Sequence, residues 1–378
     1  MQNRDDNYYK NVDKKEMDKA FTKALSNIKS KFDYTPKAHP KAYFTGGLPG
    51  AGKSEIVKDI KKEHKDIVVL DVDELRRYHP KIKEIQDRYG ADAGNITHTF
   101  AVELYDKLKE QIYKDRANVI VEGTLSWSEG VKDDIVGQAL KEGYNVQVDM
   151  KIVNSYEAMQ GSIDRYIKMH LKNPSTARFV PFEAIESMAP KIEKSAKILA
   201  DMKDITLKLT NRDNEVFLEK DIGSTIARDK DNNRVDIKDA LKKNIDIDKW
   251  NPKKIEKVQK IWDETVKKME SINIPKDVKN IVIQTYKELN NNIDKYKSNT
   301  NKIQKSQDIT KEKGGINFQE KAREFKKQKN SITNIQRDKS LNQDKTKSVI
   351  DKEAIKQIIA QRPKENMIEK SKDKGVER

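Results

Sequence analysis

The run Gly47-Leu-Pro-Gly-Ala-Gly52-Lys53-Ser54 fits the pattern G-x-x-x-x-G-K-[ST] and limits what this chain can fold into more than any other feature. Such a run works where a strand delivers the glycines to a turn and a helix begins at the lysine. Glycines let backbone N–H groups converge on phosphate oxygens, and the following helix presents the positive end of its dipole to the same charge. The flanks agree with this requirement. Ala42, Tyr43, Phe44 and Thr45 form a short apolar run expected to be a buried strand, and residues 55–64 have helical spacing. Gly47, Leu48, Pro49, Gly50, Ala51, Gly52, Lys53 and Ser54 are therefore read as a nucleotide cradle. Lys53 is expected to reach the β- and γ-phosphates, and the Ser54 hydroxyl to ligate Mg²⁺.

Further apolar runs at 67–70, 118–122 and 145–153 read as strands, and helix-compatible stretches around 100–113 and 132–141 separate them. Crossovers of that length imply parallel strands with helices on both faces. The expected fold is α/β: a P-loop parallel sheet flanked by helices, followed by a Lys-rich helical, partly disordered C-terminal region. Residues 8–31 carry Met17, Phe21, Ala24, Leu25 and Ile28 at helical spacing, and 156–170 and 182–200 also read as helices. Residues 205–210 and 215–218 look like a strand pair around the turn at Asn211 and Asn214. Asn251 and Pro252 start one apolar-striped helix and Pro275 a second, which suggests a helical hairpin. The organisation expected is an N-terminal helix packed on the P-loop domain (1–40), the P-loop domain (41–230), the hairpin (245–297), a flexible linker (298–345) and a short helix and tail (346–378).

Composition narrows the setting. The 378 residues include no cysteine, which excludes disulfides, Cys-based zinc sites and a cysteine nucleophile and suits a reducing cytosol. The five histidines are scattered without metal-ligand spacing. No apolar run approaches the roughly 20 residues that span a bilayer, and the N-terminus has no signal-like apolar core, so a cytoplasmic protein without membrane insertion is expected. The net charge of +15 is uneven: residues 1–230 carry 40 Lys+Arg against 38 Asp+Glu, and residues 231–378 carry 37 against 24. The basic tail is a candidate for contact with nucleic acid or an acidic partner, with a solvated Lys-rich helix as the plain alternative.

A cradle binds nucleotide without choosing an acceptor. Asp71 and Asp73 stand at the carboxyl end of the second strand, where open α/β sheets place their ligands. Either could hold Mg²⁺ through water or act as general base toward a hydroxyl, and either could simply cap the next helix. Glu122, Gly123 and Thr124 close the third strand on the same edge and suit hydrogen bonding to a polyhydroxylated acceptor. Arg165 and Arg178 could stabilise the charge on a migrating phosphoryl group. Trp127 could stack on a base or sugar, or merely pack. His79-Pro80 reads as a turn, and Trp250 and Trp262 as anchors of the hairpin.

Taken in order, Gly46 to Ser54, Asp71-Val-Asp73 with His79-Pro80, Val121-Glu-Gly-Thr124, Asp164-Arg165-Tyr166 and Pro174-Ser-Thr-Ala-Arg178 resemble the zeta toxin family of P-loop kinases over roughly residues 8–220. The resemblance implies transfer of the γ-phosphoryl of ATP, or GTP, to the 3′-hydroxyl of the amino sugar in UDP-N-acetylglucosamine or a relative. Growth then stops unless a separately encoded antitoxin blocks the nucleotide site. It also implies Asp73 as general base, Lys53 and Ser54 on phosphates and Mg²⁺, Glu122 and Thr124 on the sugar nucleotide, and Arg165 and Arg178 on the transferring charge. Glu103 is the candidate for a further family carboxylate on the acceptor. The family often has glycine and then arginine after Glu-Gly-Thr, where this chain has Leu125 and Ser126. Two alternatives stand beside this reading: a kinase for another hydroxyl, such as an antibiotic or a polynucleotide end, and a nucleotide-binding protein of a mobile element acting through its tail.

Overall fold

The computed structural model describes residues 7–32, 34–64, 67–174 and 177–312, with side chains described to residue 297 except that of residue 91. Asp13 caps helix α1 (Lys14–Lys31) by accepting from the Glu16 amide at 2.8 Å. Its buried side, Met17, Ala20, Ala24 and Ile28, repeats at steps of three and four residues and packs into the main core.

Five strands run parallel: β1 (Lys41–Gly47), β2 (Val68–Leu70), β3 (Val119–Glu122), β4 (Asn145–Lys151) and β5 (Ile205–Thr210). The last, β6 (Val216–Lys220), turns back antiparallel to β5, and the order across the sheet is β2-β3-β1-β4-β5-β6. Helix α2 (Lys53–Glu63) follows the glycine loop, and α3 (His98–Lys114) leads into β3. The β3–β4 connection passes through a π-helical turn at Val131–Val136 before its short α-helix, Gly137–Lys141. Between β4 and β5 lie α4 (Ser155–Lys172), which opens with a capping box of Asn154 and Glu157, and α5 (Phe182–Asp201).

Alternation along β1 explains the layers. Tyr43 joins Ile120 and the α2 residues Val57 and Ile60 on one face, whereas Ala42 and Phe44 join the larger core with Phe100, Leu104 and Leu108 of α3. Both faces of the strand are thereby covered, as parallel pairing requires.

Three helices complete the described chain: α6 (Ile237–Ile245), α7 (Pro252–Glu270) and α8 (Lys276–Glu312). Asn251 accepts from the Lys254 amide at 2.8 Å and Pro252 takes the first helical position. Trp262, fully buried, stacks parallel to Tyr286 with centroids 5.6 Å apart, which locks α7 to α8. This hairpin belongs to the compact unit that ends at Asn301. It binds α4 through Gln160 to Thr265 (3.1 Å) and Asn292 to Tyr156 (3.0 Å). Helix α8 continues into residues expected as linker from 298, since neither Pro nor Gly interrupts the chain before Gly314. The rest of that linker, the short helix read at 346–378 and the basic tail from 313 lie outside the described residues. Among those described, no helix is long and apolar enough to cross a membrane.

Candidate functional site

The glycine loop leaves β1 at the carboxyl edge and is pressed against α4. A Cβ on Gly50 (φ 80°) would lie 2.1 Å from the Ala158 carbonyl, and one on Gly161 would lie 2.2 Å from the Gly50 carbonyl. Backbone therefore meets backbone there, and only glycine fits on both sides. Lys53 opens α2, and its Nζ donates to the carbonyls of Gly47 (2.9 Å) and Leu48 (3.1 Å). An ammonium has three donors, so one remains for a phosphate oxygen. Burial lowers the Lys53 pKa to about 8, while the charge of Glu122 opposes the drop and that of Arg165 adds to it. The Gly47 amide donates to the Thr124 carbonyl at 2.9 Å and ties the loop to the segment after β3.

Asp71 and Asp73 divide the roles foreseen for them. Asp71 is the cap: its Oδ1 accepts from the Asp73 amide at 2.9 Å and starts the helical turn Val72–Leu75. Burial raises its pKa, with the carboxylates of Asp73 and Glu74 adding to the effect. Asp73 accepts instead from two guanidinium groups, Arg76 Nε at 2.9 Å and Arg178 Nη1 at 3.0 Å. Burial opposes its charge, yet Arg178 and Arg76 outweigh burial and hold the carboxyl below the usual range. Arg76 is itself fixed by the Gly94 carbonyl and by Thr97 Oγ1 at 3.1 Å. Burial, then Asp71, push the Glu122 pKa up, and Lys53 and Arg165 pull it back.

Two cavities meet at this point. A cleft of about 470 Å³ is lined by the loop with Lys53, Ser54, Glu122, Arg165 and Arg212. A second, of about 920 Å³, is lined by Tyr105, Asp106, Lys109, Glu122, Thr124 and Trp127 among others. Glu122 is common to both linings. Asp73 and Arg178 stand beside the cleft as an ion pair and are not part of its lining, although the charge of Asp73 acts on both Lys53 and Glu122.

Some sequence expectations change. Glu103 is exposed and lines neither cavity; on the same helix Val102, Tyr105, Asp106, Lys109 and Glu110 are among the residues that do, so the carboxylates this helix gives to the larger cavity are Asp106 and Glu110. Trp127 is 54% exposed in the lining of the larger cavity, and its ring also packs on Gly130, so both readings of it stand. His79 does shape a turn: its Nδ1 accepts from the Lys81 amide and its Nε2 donates to the Tyr9 carbonyl at 3.0 Å. Arg76 and Arg212 were not foreseen. Arg212 donates to the Gly50 carbonyl at 2.6 Å and to Gln160 Oε1 at 3.2 Å, and so braces the loop against α4. Its signal was the polar turn after the late strand, one residue past β5.

The Zeta toxin family model matches residues 11–222. Toxin PezT of Streptococcus pneumoniae serotype 4 is 34% identical over 146 residues, 38% of this chain and 57% of that protein. Toxin zeta of Streptococcus pyogenes is 24% identical over 185 residues, 48% of this chain and 64% of that protein. The chain thus matches less than two thirds of the length of these relatives. A solved structure from the PezAT chromosomal toxin–antitoxin system of Streptococcus pneumoniae superposes with a TM-score of 0.58 at 20% identity, covering 69% of this chain and 98% of that one, and supports the fold. With its loop, its strand-end carboxylates and a family match over more than half its length, the chain belongs to the zeta toxin family.

Proposed function

We propose that the protein is an ATP-dependent small-molecule kinase that phosphorylates the 3′-hydroxyl of the amino sugar of UDP-N-acetylglucosamine or a related nucleotide sugar, and thereby acts as a growth-inhibiting toxin held in check by a separately encoded antitoxin. The observation that carries this reading is the shared wall at Glu122: a lysine-based phosphate cleft and a larger, mainly apolar cavity open onto one carboxylate. In the step proposed, the acceptor oxygen attacks the γ-phosphorus and its proton passes to the Asp73 carboxylate. The bond to the bridging oxygen breaks, and ADP leaves. Lys53 holds the phosphates, and Arg165 and Arg178 take up the negative charge that spreads over the transferring group. Glu122 and Thr124 orient the acceptor.

A magnesium ion fits the residues present. Ser54 lines the cleft beside Lys53, and among the described residues no group of three or more acidic or imidazole side chains could hold a metal alone. Mg²⁺ commonly takes one or two protein ligands together with phosphate oxygens, and Ser54 Oγ would be that ligand here. When bound it would neutralise phosphate charge.

One observation favours keeping a second acceptor class in view. Where the family often has glycine and arginine, Leu125 is buried and Ser126 bonds Thr124 at 2.8 Å, so the cations left in the acceptor cavity are Lys109, Lys114 and Lys141. Incubation with Mg-ATP and a panel of nucleotide sugars, aminoglycosides and oligonucleotide ends, read by mass spectrometry, distinguishes the classes. A nucleotide sugar that gains one phosphoryl group, with the gain lost in Lys53→Ala and Asp73→Ala, supports the proposal; phosphorylation of another class alone refutes it.

A further inference from the structure

Three cavities lie in a row at the carboxyl edge of the sheet. The phosphate cleft shares Glu122 with the cavity on the β3 side, and it shares Arg212 with a third cavity, of about 380 Å³, on the β5 side. Strand order fixes this sequence, since β1 and β4 stand between β3 and β5. In phosphoryl transfer the entering and leaving oxygens are roughly in line across phosphorus. An acceptor on the Glu122 side therefore sends the rest of the nucleotide toward Arg212.

We propose that the third cavity holds the ribose and base of the nucleoside triphosphate, and that helix α7 of the C-terminal hairpin builds its outer wall. This rests on the kinase reading and extends it, because α7 lies beyond the residues 11–222 that match the family. The inner side is the Arg212–Asp213 turn with Glu157 and Gln160 of α4, and the outer side is Lys254 and Lys257 with the buried rings of Trp250 and Trp262. The volume falls within the usual range of small-molecule pockets, roughly 300–1,000 Å³. The polar groups are held in place. Lys257 pairs with Asp213 at 2.5 Å, and Lys254 pairs with the buried Glu157 at 3.3 Å while lying 4.4 Å over the Trp250 ring. A hydrogen-bonding wall on α7 makes the hairpin the part of the chain that decides which base is accepted.

The test compares two ligands on the full chain by calorimetry: Mg-ATP, which has a nucleoside, and Mg-tripolyphosphate, which has none. In Lys257→Met, and separately in Lys254→Met, ATP should bind about tenfold more weakly while tripolyphosphate stays within about twofold. Retained tripolyphosphate binding also shows that the variant is folded. Equal weakening of both ligands, or unchanged ATP affinity, overturns the proposal. Lys53→Ala should lose both ligands, and if it binds ATP normally the kinase reading itself fails. Labelling by 8-azido-ATP should fall on peptides from 244–262; label on 98–142, the opposite cavity, would contradict the placement.

Discussion

Arg178 reaches Asp73 across 105 residues of sequence, its Nη1 3.0 Å from Oδ1. Arg76 holds the same oxygen, but the two guanidinium groups differ in exposure: the Arg76 side chain is 14% exposed and anchored to Gly94 and Thr97, and that of Arg178 is 37% exposed. In the proposed reaction Arg76 would stay on the carboxylate, and the more exposed Arg178 would exchange it for the migrating phosphoryl group. Arg178→Lys, which keeps charge without the planar fork, should lower kcat about 10²-fold. Arg76→Gln removes one of the cations that hold the Asp73 pKa down. The acid limb of kcat/KM should then move to higher pH, a shift that a merely structural residue would not cause.

The lowered pKa of Lys53 sets the opposite limb. Its ammonium binds phosphate only when protonated, and burial brings deprotonation to about 8. In the free enzyme, kcat/KM should therefore fall as pH rises through about 8. A bound triphosphate favours the charged form, so kcat at saturating ATP should hold to higher pH. A kcat/KM profile flat to about pH 10 would show that this charge is not needed.

The contact between the loop and α4 leaves no room for a methyl group. In Gly161→Ala the new Cβ would meet the Gly50 carbonyl at 2.2 Å and the Arg212 guanidinium at 2.8 Å. Alanine favours a helix over glycine by about 1 kcal/mol, which offsets part of the strain in α4 itself. The expected outcome is a folded protein by circular dichroism whose ATP affinity falls at least about tenfold, because the loop and its Arg212 brace are displaced together. Unchanged affinity would mean that the loop position is not set by this contact.

What could be read from the chain depended on how local the information was. The strand, loop and helix from Lys41 to Glu63 are written in adjacent residues, with apolar alternation, glycines and then helical spacing, and they appear as expected. Strand-end carboxylates were equally legible, since the end of an apolar run marks the ligand edge of a parallel sheet. Arg76 and Arg212 were missed because their meaning comes from partners such as Gly94 and Gly50, which only the fold brings near. Glu103 shows what position in a stretch leaves open: it shares a helix with the cavity-lining Asp106 and Glu110, yet it is exposed and lines neither cavity. The packing of the hairpin on α4 left no local trace, because Thr265 and Asn292 look like ordinary polar helix positions until Gln160 and Tyr156 meet them.

Asp149 gives a prediction for stability rather than chemistry. It is buried on β4, where both carboxylate oxygens accept from Gln147 Nε2, at 3.1 and 2.9 Å. Burial raises its pKa from 3.8 to about 6, and the Gln147 bonds and Lys208 only partly oppose this. A carboxyl with a raised folded-state pKa holds its proton more tightly when folded. Its contribution is fully present below the unfolded value near 3.8 and is lost as pH rises through about 6. Two pKa units correspond to about 3 kcal/mol at most. Asp149→Asn keeps an oxygen for Gln147 and removes the buried charge. Urea unfolding should therefore find the variant more stable than the parent at about pH 8, with the difference closing toward about pH 4. A variant that gains nothing at the higher pH would mean that Asp149 is solvated in the folded protein and titrates as it does in the unfolded chain.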